Sequence, residues 1–296
     1  MSKNLKTVDP KTLSQPEFHS LLLTAVAPRP ICFASTVDKE GNVNLSPFSF
    51  FNVFSSNPPI MVFSPSRSGR DGSLKHTHQN IKEVAEVAIN IVNYAMVEQM
   101  SLASTAYDKG VNEFTKSGFT EVASERIRPP RVAEAPVSFE CTVTQVIELA
   151  ETPGAGNLIL AKIELMHIHT DFLDADGNLD TQKLDLVGRM GGSWYTRSSG
   201  DSLFEIPKPI RSQGMGVDQL PDAIRNSTVL TGNNLGRLGN LEHLPTTEAI
   251  NRIAEHPEVK KRFAENIDTI ALHNLAKKWL ETGRTEEALA LLLLRN

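Results

Sequence analysis

The chain has 296 residues, 40% hydrophobic and 22% charged, with a net charge of −5, which suits one large domain or a domain with an appendage and leaves enough apolar side chains for a sizeable core. That balance advertises no basic surface for a nucleic acid, and no apolar run approaches the ~20 residues that span a bilayer. The opening MSKNLKTVDPKTLSQPEF has no apolar signal core, and the only two cysteines, Cys32 and Cys141, sit on strand patterns, which argues against a disulfide framework and fits a cytoplasmic protein.

Residues 1–20 are polar with two prolines and read as an extended lead-in with a short turn. Leu21 to Ala27 is a short apolar run that delivers the chain to Pro28-Arg29-Pro30. Ile31 to Val37 and Val43 to Phe48 are rich in β-formers and flank Asp38-Lys39-Glu40-Gly41-Asn42, so they read as a hairpin with a longer loop. Ser46-Pro47-Phe48-Ser49-Phe50-Phe51-Asn52 then mixes hydroxyls, an amide and three Phe rings with no charge. Proline cannot serve a central ladder, so Pro47 and the later Pro58-Pro59 mark irregular backbone beside strands. Aromatic walls with free main-chain groups at the rim suit a flat ring with polar edges; an aromatic core hairpin with a proline-rich turn is the plain alternative.

Ile60 to Ser64 reads as a buried strand. The loop from Ser64 to Thr77 carries Arg67, Arg70 and Lys75 among serines and glycines. It leads into a helix, Thr77 to Val84, with Thr77 as the expected N-cap. Cations and hydroxyls ahead of a helix N-terminus suit an anion; a solvated loop is the alternative. Val87 to Val92 is a strand whose Asn90 needs a partner. Met96 to Ala103 and Gly110 to Phe114 read as short helices. Val137, Phe139, Cys141 and Val143 alternate with Ser138, Glu140, Thr142 and Thr144, a strand with one buried face. Leu158 to His169 returns beside it. His167 and His169 share one face, but no third metal ligand stands in an obvious place, so they read as packed or surface histidines. Asp174-Ala175-Asp176-Gly177 has its glycine misplaced for a calcium loop and reads as a turn. In Gly188 to Tyr195 the paired glycines allow close backbone approach, Arg189 can meet an anion and Tyr195 can stack. Beyond Ser198 the composition shifts. Gly214-Met215-Gly216 lacks the third glycine of a dinucleotide fingerprint. Four helices with apolar stripes follow, starting near Thr246, Pro257, Ile270 and Thr285.

Several of these stretches together resemble the flavin reductase-like family, FMN-binding split-barrel proteins that include flavoredoxins and the reductase partners of flavin monooxygenases. The likeness is carried by Pro28-Arg29-Pro30-Ile31, Ser35-Thr36-Val37-Asp38, Gly41-Asn42, Asn44, Ser46 to Asn52 and Pro58-Pro59. Lys75, Thr77 and Asn80 resemble a Lys-Asp-Thr-x-x-Asn segment whose Lys and Thr lie at the flavin phosphate, with His76 where an Asp is usual. Tyr107 to Phe114, Gly118 to Thr120, Pro129 to Val137 and the Arg189-Met190-Gly191-Gly192 to Tyr195 segment continue it, so that it covers roughly residues 20–198.

The resemblance implies a β-rich fold: an antiparallel, Greek-key-like split barrel with flanking helices over residues 1–199. Residues 200–296 are then a proline-containing linker and a helical extension that covers the barrel, extends a dimer contact or binds a partner. It implies a homodimer with one FMN per subunit near the interface and NADH or NADPH as electron donor. A monooxygenase or redox protein would be the downstream partner. Ser46, Pro47, Phe48, Ser49 and Asn52 would meet the ring and ribityl chain, and Lys75 and Thr77, with Arg67, the phosphate. Asn80, Arg189 and Tyr195 complete the set. The implied activity is hydride transfer from NAD(P)H to flavin, which needs no acid–base side chain. The alternative is an FMN electron carrier reduced by a protein, without nicotinamide activity.

Overall fold

In the computed structural model, which describes residues 4–206 and 213–295, the chain enters through a helix rather than an extended lead-in. Helix α1 (Gln15–Ala25) begins where the Ser14 N–H and hydroxyl both donate to the Glu17 carboxylate, with Pro16 in the first turn. Those are start signals that a polar composition hides. Most of the apolar run from Leu21 is therefore the last turns of α1.

Strands β1 (Cys32–Val37) and β2 (Val43–Phe48) form the hairpin. Its loop is tied by Asp38, whose carboxylate accepts from the Asn42 N–H and side-chain amide, both at 2.8 Å. Next come β3 (Phe51–Ser56), β4 (Pro59–Phe63) and β5 (Glu86–Ile91). The short β6 (Glu121–Val122) and β7 (Arg131–Val132) pair only with each other, and the long β8 (Val137–Glu148) and β9 (Asn157–Ile168) follow. Seven of these make one antiparallel sheet in the order β2-β1-β5-β8-β9-β4-β3. β2 and β3 stand at opposite ends of that order, yet only Ser49 and Phe50 join them. In a flat sheet, six inter-strand steps of ~4.8 Å would part them by ~29 Å. Three residue steps reach at most ~11 Å. The sheet must curl until its two edges are neighbours. No ladder joins β2 to β3, so the barrel stays split along that seam.

One reading of the seam changes: Phe51 to Ser56 is strand, not irregular backbone. Val43 to Phe48 is strand as expected, and Pro47 is tolerated within it because β2 is an edge strand. Both faces of β1 are covered, so all six of its residues are buried. Cys32 and Ala34 join Phe48, Phe63 and Ile89 on one side, while Phe33 joins Leu45, Met100 and Phe114 on the other.

Helix α2 (His76–Glu83) starts earlier than expected: Lys75 holds the N-cap position and Thr77 lies inside the first turn. Helix α3 (Val97–Leu102) agrees with its pattern. Helix α4 (Glu113–Ser117) starts later than expected, because the Asn112 side chain caps the Phe114 N–H. β8 is not buried on one face only. Ser138 and Glu140 are buried as well, since the Glu140 carboxylate accepts the Glu125 and Arg126 N–H groups and draws that loop over the strand. After α5 (Thr181–Leu184), β10 (Leu186–Arg189) and β11 (Tyr195–Ser198) form a separate hairpin.

Two compact units divide the chain, Met1–Phe204 and Glu205–Asn296, against an expected boundary after residue 199. Pro207 and Pro209 of the linker lie outside the described residues. The second unit contains α6 (Asp222–Arg225), α7 (Gly232–Gly239), α8 (Thr247–Ala254), α9 (Pro257–Ala264), α10 (Thr269–Glu281) and α11 (Thr285–Leu292). Thr231, Thr246 and Asp268 cap three of them, and Leu238, Leu272, Trp279, Leu280 and Leu289 lie in their shared core. Gly214 and Gly216 serve packing: a Cβ on Gly214 would stand 2.7 Å from the Gly239 carbonyl, and the Gly216 N–H donates to that same carbonyl at 2.9 Å. Among the described residues no helix is long and apolar enough to cross a membrane.

Candidate functional site

The seam between β2 and β3 gathers five of the expected residues. Ser46 is half-buried on β2 and its hydroxyl has no partner among the described residues. Pro47, next to it, lacks an N–H. The Phe48 ring is spent in the barrel core, 5.6 Å from the Phe63 ring centroid, so Phe48 offers the seam only its main chain. Ser49 lies in the crossing itself. Asn52 is exposed on β3, and its side-chain oxygen accepts the Val53 N–H.

A second group closes on this seam through the arginine of the Pro28-Arg29-Pro30 step, a residue outside the expected ring and phosphate sets. Arg29 is buried. Its Nε donates to the Ser49 hydroxyl at 3.3 Å, and its other nitrogens donate to the carbonyls of Leu23, Val26 and Met190. One side chain thus ties the C-terminal end of α1, the turn after β10 and the seam. The backbones of Arg29 and Arg189 bridge each other, N···O 3.0 and 2.8 Å. The Arg189 guanidinium donates to the Trp194 carbonyl and lies 4.7 Å from the Tyr195 ring centroid. Glycine is needed here for space: a Cβ on Gly188 would stand 2.8 Å from Pro28 Cβ, and one on Gly191 would collide with the Thr24 side chain. A lone arginine between two prolines was the available signal for Arg29.

The third group is the start of α2. The His78 and Gln79 N–H groups return to the Lys75 carbonyl at 3.0 and 3.1 Å. This leaves the His76 and Thr77 N–H groups pointing out of the helix end, with no side-chain cap. Lys75 is exposed, and its ammonium forms no ion pair among the described residues. His76 is held below the usual histidine range by burial first, then by the charges of Lys109 and Lys75, so it stays neutral in a positive field. The Thr77 hydroxyl is buried and accepts from the Asn44 amide at 2.9 Å; Asn80 is buried and donates to Thr36 at 3.2 Å. These bonds fix α2 against β1 and β2. Thr77 therefore offers its N–H and the hydrogen of its hydroxyl, whose oxygen is taken by Asn44, and Asn80 acts by anchoring. Arg67 stands apart: its guanidinium meets the Ala150 and Gly72 carbonyls and the Glu148 carboxylate at 3.3 Å, which holds the loop after β8.

Other candidates resolve into packing. His167 Nε2 lies 2.7 Å from the buried Glu140 carboxylate, while His169 is past the end of β9 and near Asp171. Among the described residues no group of three or more His, Cys, Asp or Glu is placed to hold a metal. Burial pushes the Cys32 and Cys141 thiols up, away from nucleophilic character. Asp174 accepts the Asp176 and Asn178 N–H groups in a turn. Asn90, the strand amide in search of a partner, accepts from the Ser138 hydroxyl and the Val132 N–H and donates to the Phe33 carbonyl.

The donor set fits a flavin mononucleotide. An uncapped helix start with an unpaired lysine suits its phosphate. Unpartnered Ser46 and the donor-rich seam suit the polar rim of a ring.

Comparison with known proteins bears on the family and the fold. A family model described as flavin reductase like domain matches residues 25–182. A protein of Halalkalibacterium halodurans without an assigned function is 34% identical over 208 residues, 70% of this chain and 98% of its own. Nitrilotriacetate monooxygenase component B from Bacillus cereus superposes with a TM-score of 0.64 at 26% identity, covering 69% of this chain and all (100%) of that one. Flavoredoxin of Desulfovibrio vulgaris (Miyazaki F) shares the fold, with a TM-score of 0.54 at 20% identity over 70% of this chain and 98% of its own.

Proposed function

The chain belongs to the flavin reductase-like family, and from that premise we propose that it binds FMN along the β2–β3 seam and passes a hydride from NADH or NADPH to the flavin. The observation that carries this reading is the start of α2. There an unpaired Lys75 and two free N–H groups stand at the end of a helix that Asn44 and Thr36 lock to the two strands of the seam hairpin. The bound flavin supplies the hydride and electron chemistry. The protein binds and orients. Lys75 and the His76 and Thr77 N–H groups hold the phosphate. Ser46, Ser49 and the main chain of Pro47 and Phe48 meet the ring and ribityl chain, with Asn52 at the open side. Arg67 and Asn80 keep the phosphate loop and α2 in place, and Arg189 and Tyr195 border the ring. A bound flavin would take hydride directly from the donor, so no side chain is given an acid–base role.

Residues 1–199 are read as the flavin domain and residues 200–296 as an appended helical unit. β3 is an edge strand that exposes Val53 and Phe54, 57% and 69%. An apolar edge of this kind needs cover, which supports a homodimer with the flavin near its interface; a size measurement at micromolar concentration should return a dimer. Component B of nitrilotriacetate monooxygenase is, by its description, one component of a monooxygenase, and a monooxygenase is the downstream partner we favour.

The deciding experiment is an absorbance spectrum before and after anaerobic NADH and then NADPH. The expected flavin bands bleach within seconds with one donor. Bands that persist with both donors but bleach with dithionite would replace the reductase by an electron carrier, and no bands after FMN is added would overturn the site.

A further inference from the structure

Arg29 is 6% exposed, and every acceptor its guanidinium meets is neutral: three carbonyls and the Ser49 hydroxyl. Arg189 lies beside it. Burial first, and the Arg189 charge second, hold Arg29 below the usual guanidinium range. Within residues 4–204 neither side chain forms an ion pair with a carboxylate. The Leu23 and Val26 carbonyls belong to the C-terminal end of α1, which carries about half an elementary negative charge. The Tyr195 ring face offsets a little of the Arg189 charge. Together these do not balance the buried Arg29 guanidinium and the half-buried Arg189, which water solvates only in part. A buried charge is ordinarily paired, because leaving water without a partner is costly. The pair therefore lacks a counter-anion, and Ser49 connects it to the seam. Because Arg29 Nε donates to the Ser49 oxygen at 3.3 Å, the hydroxyl hydrogen is left to donate outward.

We propose that the missing counter-charge is the reduced flavin ring, which Arg189 meets directly and Arg29, a positioning residue, reaches through the Ser49 hydroxyl. A neutral oxidised ring that accepts a hydride gains two electrons and one proton, and so one negative charge. The two arginines hold that state more tightly than the oxidised one and raise the flavin's midpoint potential. The proposal rests on the seam being the ring's place.

The test uses the full chain loaded with FMN and reads binding of oxidised flavin and the midpoint potential separately. Arg189→Met should cost the reduced state about tenfold more affinity than the oxidised state, a fall of about 30 mV for a two-electron couple. Ser49→Ala should shift the potential the same way. Arg29→Lys keeps a charge and a donor for the α1 carbonyls but loses the fork that also reaches Ser49, so it should reproduce the Ser49→Ala shift. The Arg29→Lys, Ser49→Ala double variant should shift no further than either alone. A purely structural role would weaken both redox states equally and leave the potential unmoved, which would overturn the proposal. An unmoved potential with weaker binding of the nicotinamide donor would assign the charge to the donor's phosphates instead. Wild-type protein that binds no FMN would remove the functional reading and this inference together.

Discussion

Replacing Lys75 by alanine separates the phosphate from the rest of the flavin. Among the described residues the Lys75 ammonium has no partner, and Lys75 stands at the N-cap of α2, where no side chain caps the helix. Removing it breaks no ion pair and buries nothing new, so stability should change little. A charge-assisted hydrogen bond to a phosphate contributes about 1–3 kcal/mol. At this exposed position the lower half applies, about 1–1.5 kcal/mol, or roughly a five- to tenfold rise in the Kd for FMN. The free His76 and Thr77 N–H groups remain, so binding should weaken rather than vanish. Riboflavin has no phosphate, and its Kd should not respond. The assay is flavin titration by fluorescence for both ligands and both proteins, at low and high salt, since an exposed charge contact is screened. Wild-type protein should prefer FMN, and the variant should lose much of that preference. Equal affinity of the wild-type protein for the two ligands, or an equal loss for both on mutation, would refute the placement of the phosphate at α2.

Glu140→Ala should destabilise the barrel by about 3–5 kcal/mol in denaturant unfolding, because it leaves the Glu125 and Arg126 N–H groups and the half-buried Arg131 without their carboxylate. Burial alone would raise the Glu140 pKa. The two N–H groups and His167 outweigh it and hold the carboxyl below its usual range, so its contribution is present above the unfolded glutamate value, about 4.3, and is lost as pH falls below it; wild-type stability that stays flat on acidification would contradict this. Glu113 has the opposite sign. Burial raises its pKa although its carboxylate accepts the Leu45 N–H at 2.9 Å, so Glu113→Gln, which keeps the acceptor without the charge, should gain on the wild type as pH rises past the ordinary carboxylate range. Gly191→Ala should push the turn after β10 away from Thr24, costing about 1–3 kcal/mol of stability and weakening flavin binding through the displaced Arg29–Met190 contact; an unchanged melting temperature would show that the turn yields.

Much of the site was legible before the structure because its signals are local. Two β-rich runs around Asp38 to Asn42 announce a hairpin, Ser46 to Asn52 stands out by its missing charge, and the helical stripes beyond residue 200 follow a 3.6-residue period. The family likeness added the barrel and the expectation of a flavin. What misled was also local. Pro47 suggests broken backbone, and only its place on an edge strand makes it tolerable. Thr77 looks like a helix cap, but the chain turns helical one residue earlier because its hydroxyl is engaged by Asn44. Glu140 alternates as a solvent-facing residue and is buried because the loop carrying Glu125 and Arg126, 15 and 14 residues upstream, folds back onto it.

The order of residues along the chain therefore determined the strands, the helices and the candidate ring-binding stretch, since each depends on neighbours a few positions apart. Tertiary structure alone decided which of those groups share a place. Closing a seven-stranded sheet on a two-residue crossing brings β2 and β3 side by side. It lets one buried arginine hold α1, the β10–β11 hairpin and Ser49 together across 161 residues of sequence. A repeat in sequence reports which face of an element is apolar, but the partner of that face is set by long-range strand pairing, and a charge without a counter-charge becomes visible only once its surroundings have been assembled.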